Sequence, residues 1–500
     1  MNLLELEVRC PECGGAVIWT EQQIIGRCNY CSSVLCFDPG IEHRFYVEPR
    51  VKSREDLKQV LALWKAETKR AEVMGRFRTG EESDQPSFLS VVDIELAPFL
   101  RQFESSIAVT RASLIYVPYW HFQGVLFQCL LAVNEHGSKE YFFRRAPVDQ
   151  AVAAYDCNSW NFRDRGLRFK ATRFKEVTRE LLATCTHLPF SVDSAALFDT
   201  ILRAYPPVEP APLYIFKHHA LSEQRKLPVL RPYWIVTYTC GGEETVLVDA
   251  CYETVAGHPE QEEAERFFAY QGKPLAPAQS PVLKVISSRC PECGADVDWG
   301  IKEQIHFCQN CGRALVLRSG EVVVQPYEYL VTDQNDSILL PFWRFTVHLK
   351  RQNLEYANLA DYFRPLFMDR LLKGRAFSNF LSIPAFRIRK VPKGDVLLSE
   401  LIAFTSTSGH KLVEGPLQPM PSHHSGEVDV VAASEMLNCA LPSASGVVPT
   451  LHKSGGLVQM LKETTVRFDE ARLVLLPFTV QGENLVVNSK LFPVALLDEE

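Results

Sequence analysis

Eight of the fifteen cysteines stand in two copies of one pattern. In the first, Cys10-Pro11-Glu12-Cys13-Gly14 is followed, after fourteen residues between Cys13 and Cys28, by Cys28-Asn29-Tyr30-Cys31. In the second, Cys290-Pro291-Glu292-Cys293-Gly294 is followed at the same distance by Cys308-Gln309-Asn310-Cys311. Two C-x-x-C pairs offer four thiolates, which suit the tetrahedral preference of Zn²⁺ and leave no position for water or substrate. The spacing predicts two structural zinc ions per chain, one on Cys10, Cys13, Cys28 and Cys31, the other on Cys290, Cys293, Cys308 and Cys311. The proline fixes one φ angle and the following glycine is free to take a positive φ, so backbone N–H groups can turn toward the sulfurs. Cys10→Ser or Cys290→Ser is expected to unfold mainly its own metal-bound segment.

Other chemistry is sparse. The chain has no phosphate-binding G-x-x-x-x-G-K-[ST], no G-x-G-x-x-G turn, no H-E-x-x-H and no G-x-S-x-G elbow, which predicts a protein that is not an enzyme. Cys157 beside Asp156, and Cys185 near His187, are the only nucleophile-like juxtapositions, and buried structural cysteine is the commoner fate of such residues. The pairs His218-His219 and His423-His424 lack converging ligands from other positions. The seven remaining cysteines (Cys36, Cys129, Cys157, Cys185, Cys240, Cys251 and Cys439) show no pairing pattern, which points to a reducing, cytoplasmic setting.

A net charge of −7 gives the whole surface no attraction to nucleic acid or anionic lipid. Two segments run against that balance. Residues 144–179 hold nine Lys/Arg against four Asp/Glu, and residues 361–393 hold eight against two, both interleaved with aromatics. A basic groove with stacking rings is how single-stranded nucleic acid is held. The alternative is a solvated cationic face over an aromatic core.

These residues need a scaffold, and the pattern of one is readable. With 46% hydrophobic and 23% charged residues, the 500-residue chain has globular composition and exceeds what one core supports. Alternating Val17/Trp19 and Val297/Trp299 predict a strand after each first cysteine pair. Ser53 and Asp56 form a capping box for a helix with Leu57, Val60, Leu61 and Trp64 on one face, stopping near Gly75. Met1–Arg9 lacks the pattern of a secretory signal. Ser113–Val133 has no charged residue over twenty-one positions, but Pro118, His121 and the Gln123-Gly124 pair predict two buried strands joined by a turn, with no transmembrane segment.

The parallel between the halves runs past the cysteines. Ile115-Tyr116-Val117-Pro118-Tyr119-Trp120-His121-Phe122 resembles Leu339-Leu340-Pro341-Phe342-Trp343-Arg344-Phe345-Thr346 in its Pro-aromatic-Trp-x-Phe core. The hairpin-like stretches from Arg231-Pro232-Tyr233 to Val248 and from Leu476-Pro477-Phe478 to Val487 also match. If so, Trp120 and Trp343 occupy equivalent buried sites, each after a proline that begins or edges a strand. The fold class expected is α+β, mainly β: two four-cysteine zinc ribbons, each followed by an antiparallel β-rich domain, as a tandem pseudo-repeat. The boundaries read as zinc ribbon 1 at 1–40, an α+β domain at 41–256 with a helical insert at 53–74, a linker at 257–283, zinc ribbon 2 at 284–318 and a second β-rich domain at 319–500.

The first quarter of the chain resembles bacterial zinc-ribbon proteins of the transcription-factor-IIB type, some of which carry a primosomal replication-factor-like label. The residues that carry the likeness are the ribbon, Val47-Glu48-Pro49, Ser53-Arg54-Glu55-Asp56 with Trp64, and Tyr116-Val117-Pro118-Tyr119-Trp120-His121-Phe122. The resemblance implies a non-enzymatic adaptor or scaffold that binds a protein partner, in a membrane-stress or stomatin-associated setting. The alternative is a replication- or transcription-associated protein that binds nucleic acid through its ribbons and the two basic segments.

Overall fold

The structure, a computed structural model, describes residues 5–20, 23–37, 44–79, 95–133, 139–155, 173–178, 181, 185–194, 196–197, 213–270, 282–318, 320–331, 337–356, 358–364, 379–388, 392–407, 411–418, 421–437, 440–441, 460, 463–487 and 489–497. These residues are mainly β, in sheets of ten, three, three and eight strands with few helices. None of their helices is long and apolar enough to cross a membrane.

Strands β1 (Glu5–Arg9) and β2 (Ala16–Thr20) flank the first cysteine pair, and β3 (Ile25–Arg27) and β4 (Val34–Phe37) flank the second. In β1 and β2 the alternate residues Leu6, Val8, Val17 and Trp19 are buried, as period-two patterning requires. After β5 (Phe45–Val47), helix α1 (Arg54–Thr79) starts at the expected capping box. The Ser53 N–H donates to Asp56 Oδ2 at 2.9 Å, and the Asp56 N–H donates to Ser53 Oγ at 3.1 Å. Leu57, Val60 and Leu61 pack against Val236, Tyr238, Val246 and Val248. The helix continues through Gly75 to Thr79, because one internal glycine costs only about 1 kcal/mol and does not terminate a helix.

Helix α2 (Ala97–Ser106) leads into β6 (Ala108–Val133), followed by β7 (Lys139–Ala153), β8 (Arg173–Glu176), β9 (Thr186–His187), β10 (Leu213–Thr239), β11 (Glu243–Asp249) and β12 (Thr254–Gly257). The expected turn at Gln123-Gly124 does not form. Gly124 pairs with Val148 of β7. On its other side, the ladder with β10 shifts register between Ser222 and Arg225. Two residues of β10 thus face one of β6, and the absence of a side chain on Gly124 accommodates the bulge in an unbroken strand.

Helix α3 (Gln261–Ala269) and strand β13 (Leu283–Val285) connect the halves. Both are integrated with the first half, unlike the connector expected over 257–283. Ala264 and Phe267 of α3 join the first core, and β13 pairs antiparallel with β4. The second half runs β14 (Ile305–Phe307), β15 (Ala314–Arg318), β16 (Glu321–Gln325), β17 (Tyr327–Tyr329), β18 (Ser337–Arg351), β19 (Leu354–Tyr356), α4 (Leu359–Phe363), β20 (Phe380–Pro384), α5 (Pro392–Thr407), β21 (Val413–Glu414), α6 (Val430–Glu435), β22 (Thr464–Gln481), β23 (Asn484–Val487) and β24 (Lys490–Pro493). Strand β16 pairs with β15, so the sheet beside the second cysteine cluster runs beyond residue 318, the expected end of that segment.

Corresponding strands pair alike. Pro118 of β6 lies opposite Leu230 of β10, and Pro341 of β18 opposite Leu475 of β22. A short parallel strand, β5 or β17, adds Tyr46 or Tyr329 beside that same leucine. The sheets are therefore mixed, where purely antiparallel ones were expected. Both prolines also stand in mid-strand, contrary to the expected strand start or edge. Each one's carbonyl accepts an N–H, from Ala154 or Ala385, one residue past the end of the neighbouring strand β7 or β20. The missing proline N–H thus faces the point where the neighbour leaves the ladder.

Trp120 and Trp343 each donate their Nε1–H to a backbone carbonyl, Val192 at 3.0 Å and Val428 at 2.8 Å. The burial is unequal: Trp343 is only 2% exposed, whereas Trp120 is half-buried. The β6–β7 ladder also reaches the second half. Phe127 joins the second core, and the Arg145 Nη1–H donates to the Ile388 carbonyl at 2.5 Å. Trp343→Ala is expected to cost about 3–5 kcal/mol in denaturant unfolding and Trp120→Ala clearly less; equal losses would contradict this account of the packing.

Candidate metal centre

Each cysteine pair sits in a tight turn closed by its own backbone. The Cys10 N–H donates to the Gly15 carbonyl and the Gly14 N–H to the Cys10 carbonyl, both at 2.9 Å. In the next turn the Cys28 N–H donates to the Ser33 carbonyl and the Ser32 N–H to the Cys28 carbonyl. The second cluster uses the same bonds at Cys290/Ala295, Gly294/Cys290, Cys308/Arg313 and Gly312/Cys308. The residue after each pair is left-handed: Gly14 (φ 71), Ser32 (φ 63), Gly294 (φ 73) and Gly312 (φ 67).

These turns bring together all eight cysteines singled out in the sequence. Within each group of four the sulfurs lie within 4.8 Å of one another. Cys10–Cys31 and Cys13–Cys28 approach to 3.7 Å, Cys290–Cys311 to 3.7 Å and Cys293–Cys308 to 3.6 Å. A tetrahedron with Zn–S bonds of about 2.3 Å has edges of about 3.8 Å. The donor sets therefore fit a tetrahedral, thiophilic ion such as Zn²⁺.

Electrostatics fit the same ion. Cys31 is drawn down to about 6 by the Ser33 hydroxyl and N–H, and Cys293 to about 6 by Asn310 and the Ala295 N–H. Cys13 is pushed up to about 12: the Gly15 N–H lowers it, but desolvation and the neighbouring thiols outweigh that. Cys311 is pushed up to about 12 by burial and by its thiol neighbours. Four adjacent thiolates repel one another, and a divalent cation offsets that repulsion.

The surroundings of the clusters differ. The turn at Cys308–Gly312 is capped by residues 415–418, where Leu417 packs so closely that a Cβ on Gly312 would stand 2.3 Å from its carbonyl oxygen. The Tyr327 hydroxyl donates to the Gly312 carbonyl at 2.7 Å and accepts the Leu417 N–H at 2.8 Å. His423 packs edge-on against Phe307. At the equivalent turn of the first cluster, Tyr30 is 70% exposed and lies over Gly15.

The chain matches no known family model, no curated protein and no solved structure.

Other sequence candidates assemble no site among the described residues, where the two cysteine clusters are the only metal-ligand groups. The side chains of His218 and His219, and all of Cys157, lie outside the described residues. Much of the two basic segments does too. Of their described cations, Arg145 bonds to Ile388, Lys175 pairs with Glu48 at 2.9 Å, Arg364 with Asp361 at 2.9 Å and Arg387 with Glu427 at 3.8 Å.

Two polar features went unread in the sequence. Arg231 is fully buried, ion-paired with Asp249 and stacked near the Tyr233 and Tyr252 rings. His187 and His423 stand opposite Tyr116 and Leu339 in parallel pairings, each five residues before the valine carbonyl that receives a tryptophan N–H. The signal was present as H-x-x-x-x-V-D at 187–193 and 423–429.

Elemental analysis of protein purified without added metal should give two zinc ions per chain, and a reproducible value of one or none would refute the assignment. Glu48 provides a pH test. Hydrogen bonds from Lys52 and Lys175 hold its carboxyl down at about 2, from an ordinary 4.5. A carboxyl depressed in the folded state stabilises fully above its unfolded pKa, and that contribution is lost as pH falls from 4.5 toward 2. Glu48→Gln should remove part of the acid sensitivity in this window. The effect should be small, since the side chain is 46% exposed and screened by solvent. An unchanged acid-unfolding profile would show that the pair contributes nothing.

Proposed function

We propose that the protein is a non-enzymatic adaptor: two zinc ribbons, each joined to a β-rich unit, hold a rigid surface that binds a protein partner. We further propose that the halves are tandem copies of one ribbon-plus-sheet unit. The equivalent registers of Pro118 and Pro341, the tryptophan-to-valine hydrogen bonds and the repeated H-x-x-x-x-V-D support that reading. The closed thiolate sets support a structural role for the metal, because no ligand position is left for a substrate.

The observation that carries the adaptor reading is the difference between the two equivalent turns. One is covered by the chain's own loop; the other presents Tyr30, 70% exposed, over a metal-anchored turn. A tyrosine held on a rigid base offers contact area at low entropic cost and is a common interface anchor. A partner from a membrane-stress or stomatin-type system follows from the sequence resemblance. Binding of nucleic acid is the competing reading, and the in-chain partners of Arg145, Lys175, Arg364 and Arg387 weigh against it.

Affinity capture from the native host, followed by reconstitution with purified components, should yield a protein whose binding is weakened at least about tenfold by Tyr30→Ala, as expected for a hot-spot residue. The purified chain should show a protein-like ultraviolet absorbance ratio. Co-purified nucleic acid with a steep salt dependence of binding would instead establish the competing reading.

A further inference from the structure

The two metal clusters share more than a design. Strand β4 of the first ribbon is buried along its whole length, and its residues divide between two cores. Leu35 and Phe37 face the first sheet with Trp19, Cys10 and Cys28. Val34 and Cys36, with Ile25, face the second ribbon, where they meet Ile286, Val297, Trp299, Leu315 and two cysteines of the second cluster, Cys290 and Cys308. Alternation of side chains along a strand makes this possible. One four-residue strand thus lies between two sulfur clusters.

Backbone bonds reinforce the shared core. The N–H groups of Ile24 and Ile25 both donate to the Ile301 carbonyl at 2.9 Å. Strand β13 pairs with β4 from Leu283↔Phe37 to Val285↔Leu35, and the Ile286 N–H then donates to the Val34 carbonyl at 3.0 Å. Four residues after Ile286 the chain reaches Cys290. The Arg27–Asp298 ion pair, 3.3 Å long, is exposed and adds little.

We propose that the two zinc sites are thermodynamically coupled, so that metal in one raises the affinity of the other. A ribbon of this size folds only around its metal. Emptying the second site releases Trp299, Val297 and the Ile301 carbonyl, which strips one face from β4 and takes the shared acceptor from the N–H groups of Ile24 and the buried Ile25. The first ribbon must then hold its metal with a weakened sheet. Linkage makes the effect reciprocal and equal in both directions. This replaces the expectation that Cys10→Ser or Cys290→Ser unfolds mainly its own ribbon. The inference rests on reading both clusters as zinc sites, and the stoichiometry at saturating zinc checks that reading separately.

The test is competition of the full-length chain with a zinc chelator, followed by native mass spectrometry that counts zero-, one- and two-zinc chains. Cys293→Ser removes an exposed ligand of the second site, and the first site should then lose affinity by about 5–150-fold, the usual range of site–site coupling. Ile286→Ala keeps all eight cysteines but trims the shared core. It should still bind two zinc ions at saturation, while its one-zinc fraction rises above that of the natural chain. Affinity of the first site within about twofold of normal in Cys293→Ser would overturn the proposal. Should Cys293→Ser precipitate, the comparison with Ile286→Ala decides, and identical one-zinc fractions in the two proteins would overturn it. Fewer than two zinc ions at saturation in the natural chain would refute the zinc assignment instead.

Discussion

The two four-cysteine segments are too short to bury much apolar surface alone, and each gathers four sulfurs that could hold a cation. The rest of the architecture builds on that closure. In the first ribbon, the turn at Cys10–Gly14 sets β1 against β2, and this hairpin is the end of the ten-stranded sheet. In the second, the capped turn at Cys308–Gly312 receives the loop that also carries His423 and Gly426. Gly426 exchanges backbone hydrogen bonds with Ile305, so the second cysteine segment leans on the first half through Ile301 and on the second half through Gly426.

The interiors of the two sheets are stabilised differently. Beside Pro232 and Pro477, the first half buries Arg231 where the second buries Leu476. The arginine is paired with Asp249, whose Oδ1 also accepts the N–H groups of Cys251 and Tyr252. A leucine performs the same space-filling without desolvating a charge, so the desolvation of Arg231 and Asp249 offsets much of the attraction between them. One position past the tryptophans of β6 and β18, fully buried His121 bonds to Asp149 at 2.7 Å, whereas the corresponding Arg344 packs near the Phe380 ring.

Much of this was legible in the residues because it depends on local chemistry. The C-x-x-C spacing, the capping box at Ser53 and the alternation at Val17 and Trp19 each express a rule that acts within a few positions. What escaped depends on distant neighbours. Gln123-Gly124 has the composition of a turn, but flanking strands on both sides hold it straight. Pro118 and Pro341 read as strand edges, but each lies where a neighbouring strand departs. Residue 283 closed the expected linker and 284–285 opened the expected second ribbon, yet all three form one strand because β4, about 250 positions earlier, pairs with them. The site was therefore more readable than the scaffold: its ligands stand close in sequence, whereas the pairing that frames them spans hundreds of residues.

That long separation has a kinetic side. On a ribosome, Val34, Leu35, Cys36 and Phe37 emerge early, yet the strand that covers one edge of β4 is made only after residue 283. In the interval this apolar strand is an open template for pairing with any other extended chain, the kind of exposed edge from which aggregation starts. Because contacts so remote in sequence form slowly, the chain's vulnerability lies in the time between its two cysteine clusters.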